Sequence, residues 1–165
     1  MRAYLLDTNV WSDWYNPTKN RKIIERVSKL KEPEKPQISI ITWGELRFGF
    51  NLFSLKQKKQ FGDIEGFIQE KRPFTVNIDD NVTKQYGILR ARLFEKYAPN
   101  SKKIKGLRPE QLVDPVTSLT LGIQENDFWI AAQAVNWNLV LVTRDKMDRI
   151  RKIACPELII ENWAD

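Results

Sequence analysis

Four short runs dominated by apolar residues, Ala3–Leu6, Gln37–Ile41, Phe74–Ile78 and Asn138–Val142, are separated by longer segments with apolar residues at helical spacing. Strands without a polar face have no side to turn to water, so they belong in a parallel sheet covered by helices on both sides. The sequence therefore predicts an α/β fold whose sheet has four strands, or five if Leu158–Ile160 is another. The intervening helices read as 18–31 (Ile23, Ile24, Val27, Leu30) and a segment from Thr42 carrying Leu46, Gly49, Phe50 and Phe53. Next come Lys56–Arg72 (Phe61, Ile64, Phe67, Ile68) and a helix capped by Asp79 or Asp80 (Val82, Tyr86, Leu89, Leu93, Tyr97). The last is opened by Asn126 and Asp127 and runs through Trp137. Pro33, Pro36 and Pro73 punctuate the pattern. Residues 98–118, with three prolines, a glycine and the cluster Lys102, Lys103, Lys105 and Arg108, read as a loop-rich insertion within one domain spanning 1–165.

Composition narrows the chemistry. The 165 residues contain no histidine, which removes histidine-based nucleophile activation, histidine acid–base catalysis and the usual zinc sites. Cys155 is the single cysteine, so no internal disulfide is available. No apolar run reaches the ~18 residues a membrane span needs, and Met1–Asp7 does not read as a signal peptide. A reducing cytoplasm is the expected compartment. The net charge of +6 rises further once a few acids are sequestered in a site, which suits a polyanionic partner such as nucleic acid.

Hydrolytic chemistry must then rest on carboxylates, and four of them hold equivalent places. Asp7 ends the first strand in LLDTNV, Glu45 lies in the first helical turn after the second, and Asp145 follows the fourth. Asp127 opens the helix that leads into the fourth strand. The carboxyl ends of parallel strands share one edge, where ligands bind at the crossover point. Each acid also has a plain explanation. Thr42-Trp43-Gly44-Glu45 matches a capping box, and Asp127 and Asp145 suit helix N-termini. Capping gives no reason for all four to share one edge. Gathered carboxylates repel and raise one another's pKa unless a cation balances them, and Mg²⁺ or Mn²⁺ suits an all-oxygen site. Thr8, Asn9 and Thr143 stand where their hydrogen bonds would orient Asp7, Asp145 or a water at the metal.

LLDTNV, the Thr-x-Gly-Glu of ITWGELRFG, the segment NDFWIAAQA and the strand end VTRD together resemble the PIN-domain ribonucleases, most closely VapC-type toxins of toxin–antitoxin pairs. The resemblance runs nearly end to end, to the closing IIENW. It implies an α/β/α sandwich, a metal-dependent endoribonuclease, a homodimer, and a cognate VapB-like antitoxin that threads a C-terminal segment into the active-site groove. Transfer RNA would be the usual substrate. The family's first three acids map onto Asp7, Glu45 and Asp127, and the fourth onto Asp145, with Asp148 as the alternative. The 98–118 stretch departs from compact members by its length.

Arg47, Arg90, Arg92 and Arg144 are candidates for gripping RNA phosphates, against the plainer reading of solvated surface groups. Trp11, Trp14 and Trp43 are candidates for base stacking, against core packing. A dehalogenase-like phosphatase needs a second acid two residues after the first, where this chain has Asn9. A receiver domain survives on the acids of FTVNIDD but leaves Glu45 and Asp127 unexplained. A dinucleotide-binding reading fails because no Gly-x-Gly-x-x-Gly follows a strand. A non-catalytic PIN-like module that binds RNA or protein would be expected to have lost acids that are all present here.

Overall fold

The computed structural model describes residues 3–16, 18, 20–55, 63–99 and 106–164. The chain runs through β1 (Tyr4–Leu6), α1 (Thr8–Tyr15), α2 (Arg21–Ser28), β2 (Pro36–Ser39), α3 (Ile40–Leu55), α4 (Ile64–Lys71) and β3 (Phe74–Val76). It continues through α5 (Asp80–Tyr97), a 3-10 turn (Pro109–Gln111), α6 (Glu125–Asn136), β4 (Val140–Val142), α7 (Asp148–Ala154) and β5 (Ile159–Glu161). All five strands are parallel, in the order β3-β2-β1-β4-β5. The fifth strand is therefore present, and β1 is central.

Adjacent residues on a strand point to opposite faces, which is why the runs are apolar throughout. Leu5 and Leu141 pack with the buried faces of α5, α6 and α7, while Leu6 and Val142 pack with α1, α2 and α4. The result is the three-layer α/β/α sandwich. Trp11 is fully buried and stacks 5.0 Å from Trp14, which meets Phe67 edge-on at 5.3 Å. Those two tryptophans are core residues. Trp43 is partly buried and carries the Arg47 guanidinium 4.9 Å above its ring. Among the described residues no helix is long and apolar enough to cross a membrane.

Several boundaries differ from the sequence reading. The QISII run is not strand throughout: β2 ends at Ser39, and Ile40 and Ile41 already belong to α3. The cause is Ser39, whose Oγ accepts the Ile41 N–H at 3.0 Å in the manner of an N-cap and donates to Gln133 Oε1 at 2.5 Å. Gln133 Nε2 donates in turn to the Val76 carbonyl at 2.8 Å, tying β2, α6 and β3 together in the interior. The predicted Lys56–Arg72 helix is observed as Ile64–Lys71, capped by Asp63 Oδ1 on the Gly66 N–H at 2.7 Å. Residues 56–62 of that prediction lie outside the described residues, as do 100–105 of the predicted insertion. Within 98–118 the described chain forms the 3-10 turn and reaches an antiparallel bridge between Val113 and Thr120.

Candidate active site

The order in which strands are added to the sheet reverses between β1 and β4, which makes their carboxyl ends the crossover point of the fold. The Asp7 N–H continues the ladder to the Val142 carbonyl at 2.9 Å, so Asp7 is the first residue beyond β1 and Thr143 the first beyond β4. Asp7 does cap α1: its Oδ1 accepts the Thr8 N–H at 2.8 Å. Its other oxygen, Oδ2, accepts from the Thr143 hydroxyl at 2.8 Å and the Asn9 amide at 3.0 Å. Capping and site membership coexist in one carboxylate.

Asn9 joins the two strand ends. Besides Asp7, its Nδ2 donates to Thr143 Oγ1 at 3.2 Å and Asp145 Oδ2 at 3.0 Å, while its Oδ1 accepts the Arg144 N–H at 3.2 Å. Thr143 Oγ1 accepts the Asp145 N–H at 3.1 Å. The sequence assigned Thr8, Asn9 and Thr143 a supporting place around Asp7, and all three hydrogen-bond site carboxylates here.

Glu45 does not cap its helix. Because Ser39 starts α3 early, Thr42 lies inside the helix with its buried hydroxyl unpartnered among the described residues, and Glu45 falls beyond the first turn. Its carboxylate turns toward β1, accepting from the Thr8 hydroxyl and, at 2.7 Å, from Asn126 Nδ2. Asn126 is a site contact the sequence reading treated only as a helix opener. Asp127 does keep a capping bond, from the Gln124 N–H at 3.2 Å, while feeling the charges of Asp7, Asp145 and Glu45. Asp148 begins α7 and pairs with Arg151 at 3.1 Å on the exposed surface. The structure thus brings Asp7, Glu45, Asp127 and Asp145 into mutual electrostatic range.

Burial is the main cause of a raised pKa at Asp7, where it outweighs the hydrogen bonds from Thr143 and Thr8, and the charges of Glu45 and Asp145 add to it. Burial likewise lifts Asp127 to about 6, opposed by the Gln124 N–H and reinforced by its three acidic neighbours. Among the described residues, none of the four forms an ion pair with a lysine or arginine. All-oxygen donors carrying unbalanced negative charge fit a hard divalent cation. The side chains as they stand are engaged by neighbouring donors rather than drawn to one point: among the described residues no three acids or thiols converge as a metal-holding group. Thr8 and Asn126 each donate to one oxygen of Glu45, and Asn9 to one oxygen of Asp145, so each carboxylate keeps lone pairs for a cation.

The four arginines are all engaged within the protein. Arg47 forks onto Glu65 Oε1 at 2.9 and 3.1 Å. Arg90 binds Glu125 at 3.0 Å, the Leu107 carbonyl at 2.9 Å and the Tyr86 hydroxyl. Arg92 binds the Ile153 carbonyl at 3.1 Å and approaches Glu157 at 3.6 Å. Arg144 turns away from the acids: its Nε lies 3.2 Å from Asp13 Oδ2 on α1. Asp13 is buried, and neither of its oxygens meets a donor at hydrogen-bonding angles, so this contact is a charge pair without a directed bond. The sequence reading passed over Asp13, although an acid amid Val10, Trp11 and Trp14 was visible.

The raised pKa of Asp127 fixes a sign for pH dependence. A folded-state value above the unfolded one means the native state holds more protons, so stability is lost as pH rises through about 6. Metal-free protein in EDTA is expected to gain about 1 kcal/mol from pH 7 to pH 5, discounted for partial solvent exposure. That is about 2–4 °C in melting temperature. Asp7 acts in the same direction. Asp114, held below its ordinary value by the Val116 and Thr117 N–H groups, loses its contribution only at lower pH. Saturating Mg²⁺ should erase the gain by competing with the proton. Thermal melts across that range decide it, and a melting temperature that drops on acidification in EDTA would contradict the assignment.

The PIN domain family model matches residues 4–154. Among solved structures, the chain is similar to VapBC2 from Rickettsia felis bound to a DNA fragment from its promoter, at 26% identity over 98% of each chain and a TM-score of 0.65. It is similar in fold to VapBC-1 from nontypeable Haemophilus influenzae, at 24% identity over 99% of each chain and a TM-score of 0.61. FitAcB from Neisseria gonorrhoeae is a third, at 23% identity over 97% of each chain and a TM-score of 0.58. No curated protein matches the chain.

Proposed function

The chain belongs to the PIN domain family, and from that premise we propose that it is a divalent-metal-dependent endoribonuclease, the toxin of a toxin–antitoxin pair. The observation that carries this reading is the set of four acids without counter-cations at the crossover edge of the sheet. Asp7, Glu45, Asp127 and Asp145 would hold Mg²⁺ (or Mn²⁺). When bound, the cation supplies charge neutralisation at the scissile phosphate and activation of the attacking water.

The protein's own part is positioning. Asn9 and Thr143 fix the Asp7 carboxylate and keep Asp145 beside it, so that edge is ordered before substrate arrives. Thr8 and Asn126 each hold one oxygen of Glu45. Asp127, with its pKa near working pH, is ionised for most of the time at pH 7 and releases its remaining proton when a cation binds. Attack of water on phosphorus breaks the bond to the 3′ oxygen, leaving a 3′-hydroxyl and a 5′-phosphate.

The toxin assignment draws on the VapBC and FitAcB likenesses. It brings a VapB-like antitoxin and a homodimer into the proposal, with transfer RNA as a candidate substrate. Purified protein should cut total RNA in Mg²⁺ and stop in EDTA. Cleavage that persists in EDTA overturns the metal mechanism, and its absence in both conditions overturns the nuclease reading. Growth arrest on expression, relieved by Asp127→Asn, distinguishes a toxin from a housekeeping nuclease.

A further inference from the structure

Beside the acids lies a cleft of about 630 Å³ between the chain leading into α6 and the segment through α7. Asp127 and Asp145 form one end, and Lys146, Arg149 and Lys152 lie along it with Asp148, whose charge Arg151 balances, so it is continuous with the acid site and carries an excess of positive charge beyond it. Its volume is in the usual range of ligand clefts.

The cations of this cleft differ from the arginines around the site. Arg47, Arg90, Arg92 and Arg144 are all committed to internal partners. Lys146 and Lys152 are exposed and form no ion pair among the described residues. Arg149 has a structural part: it donates to the Leu121 carbonyl and lies 3.9 Å from Asp114, bracing one wall of the cleft against the other. The cleft is thereby formed without ligand, and the two lysines are left with charge to give.

We propose that this cleft seats the single-stranded RNA adjoining the scissile bond, with Lys146 and Lys152 each neutralising a backbone phosphate. The inference rests on the ribonuclease reading and extends it by giving the strand a path and a required form. A chain of phosphates satisfies both ends of the charge gradient: one phosphate at the cation-loaded acids, its neighbours at the lysines. A flexible single strand can enter between the walls, whereas a rigid duplex can only lie across the opening.

The test separates binding from cutting. Labelled single-stranded RNA of about 12 nucleotides, within the span of single-strand binding sites, is titrated with protein in EDTA over a salt series and read by fluorescence anisotropy. For single strands the slope of log affinity against log salt is about −0.7 per phosphate neutralised. Lys146→Ala and Lys152→Ala should each make the slope shallower by about 0.7, and the double variant by about 1.4. Lys146→Arg should keep it, as should Lys22→Ala on α2. Unlabelled single strand should displace the probe, and duplex of equal phosphate content should not.

Unchanged slopes in both lysine variants, equal displacement by duplex, or no RNA binding by the wild type would each overturn the proposal. If the variants instead spare RNA and weaken a polyglutamate peptide, the cleft docks protein and the proposal fails. Binding with the expected slopes but no cutting in Mg²⁺ sinks the nuclease reading and leaves the cleft standing. Cutting with unchanged slopes does the reverse.

Discussion

Asp7→Asn should lower RNA cleavage by at least about 10²–10³-fold, the scale of removing one preorganised electrostatic group from an active site, while raising the melting temperature of the metal-free protein. Asp7 is the buried member of the set, 5% exposed, with both oxygens occupied by Thr8, Thr143 and Asn9. Asparagine is as good an N-cap as aspartate, so α1 keeps its start through the Thr8 N–H. What disappears is the charge, which burial and the neighbouring Glu45 and Asp145 disfavour without a cation, and the acceptor for the Asn9 amide, which keeps Asp145 as its partner. Mg²⁺ should therefore stabilise the wild type and leave the variant nearly unmoved. Melting curves with EDTA or Mg²⁺, beside a cleavage assay, measure both effects. Wild-type cleavage by the variant, or an equal thermal response to Mg²⁺, would remove Asp7 from the metal site.

Arg144→Ala should destabilise the fold by about 2–3 kcal/mol, the lower end of what breaking a buried ion pair costs, because Arg144 is half exposed. Asp13 is 1% exposed and has no hydrogen bond to fall back on. Deleting its cation leaves a carboxylate in the interior between α1 and the end of β4. Adding Asp13→Asn should recover most of the loss, since the penalty lies in the unpaired charge rather than in the missing contact. Urea melts of the two single variants and the double variant give the coupling directly. If the double variant is no more stable than Arg144→Ala, the pair is incidental. An arginine acting only on RNA phosphates would leave stability unchanged.

The sheet and the edge of the acids were legible because both follow from one-dimensional patterns. Strands buried on two faces must be apolar at every position, and the residue that follows them is placed by topology alone. Asp7 was therefore readable directly after LL, and Asp145 near that edge as the third residue after LVLV. The start of α3 was misplaced because Ser39 is polar within a strand-like run, and its capping is evident only with Gln133 beside it. That error made Glu45 look like a capping residue. Asp145 accepts from Asn9 while Asp148 pairs with Arg151, a difference in surroundings that no local spacing encodes. Asp13 and Arg144 meet only because α1 and β4 are neighbours in space. The free charge of Lys146 and Lys152 is likewise a property of which other cations are already paired.

The Asn9 side chain has a wider meaning for how this molecule comes apart. One amide closes the gap between the ends of β1 and β4, the central pair of the sheet, and contacts two of the acids in doing so. The acids are consequently not mounted on a rim that frays ahead of the interior. To disperse them, the seam between the two middle strands must open, and such a seam belongs to the slowest-opening cooperative unit of a domain. In this protein the persistence of the Asp7–Asp145 edge and the persistence of the central sheet are one property, held where Asn9 and Thr143 join the two strand ends.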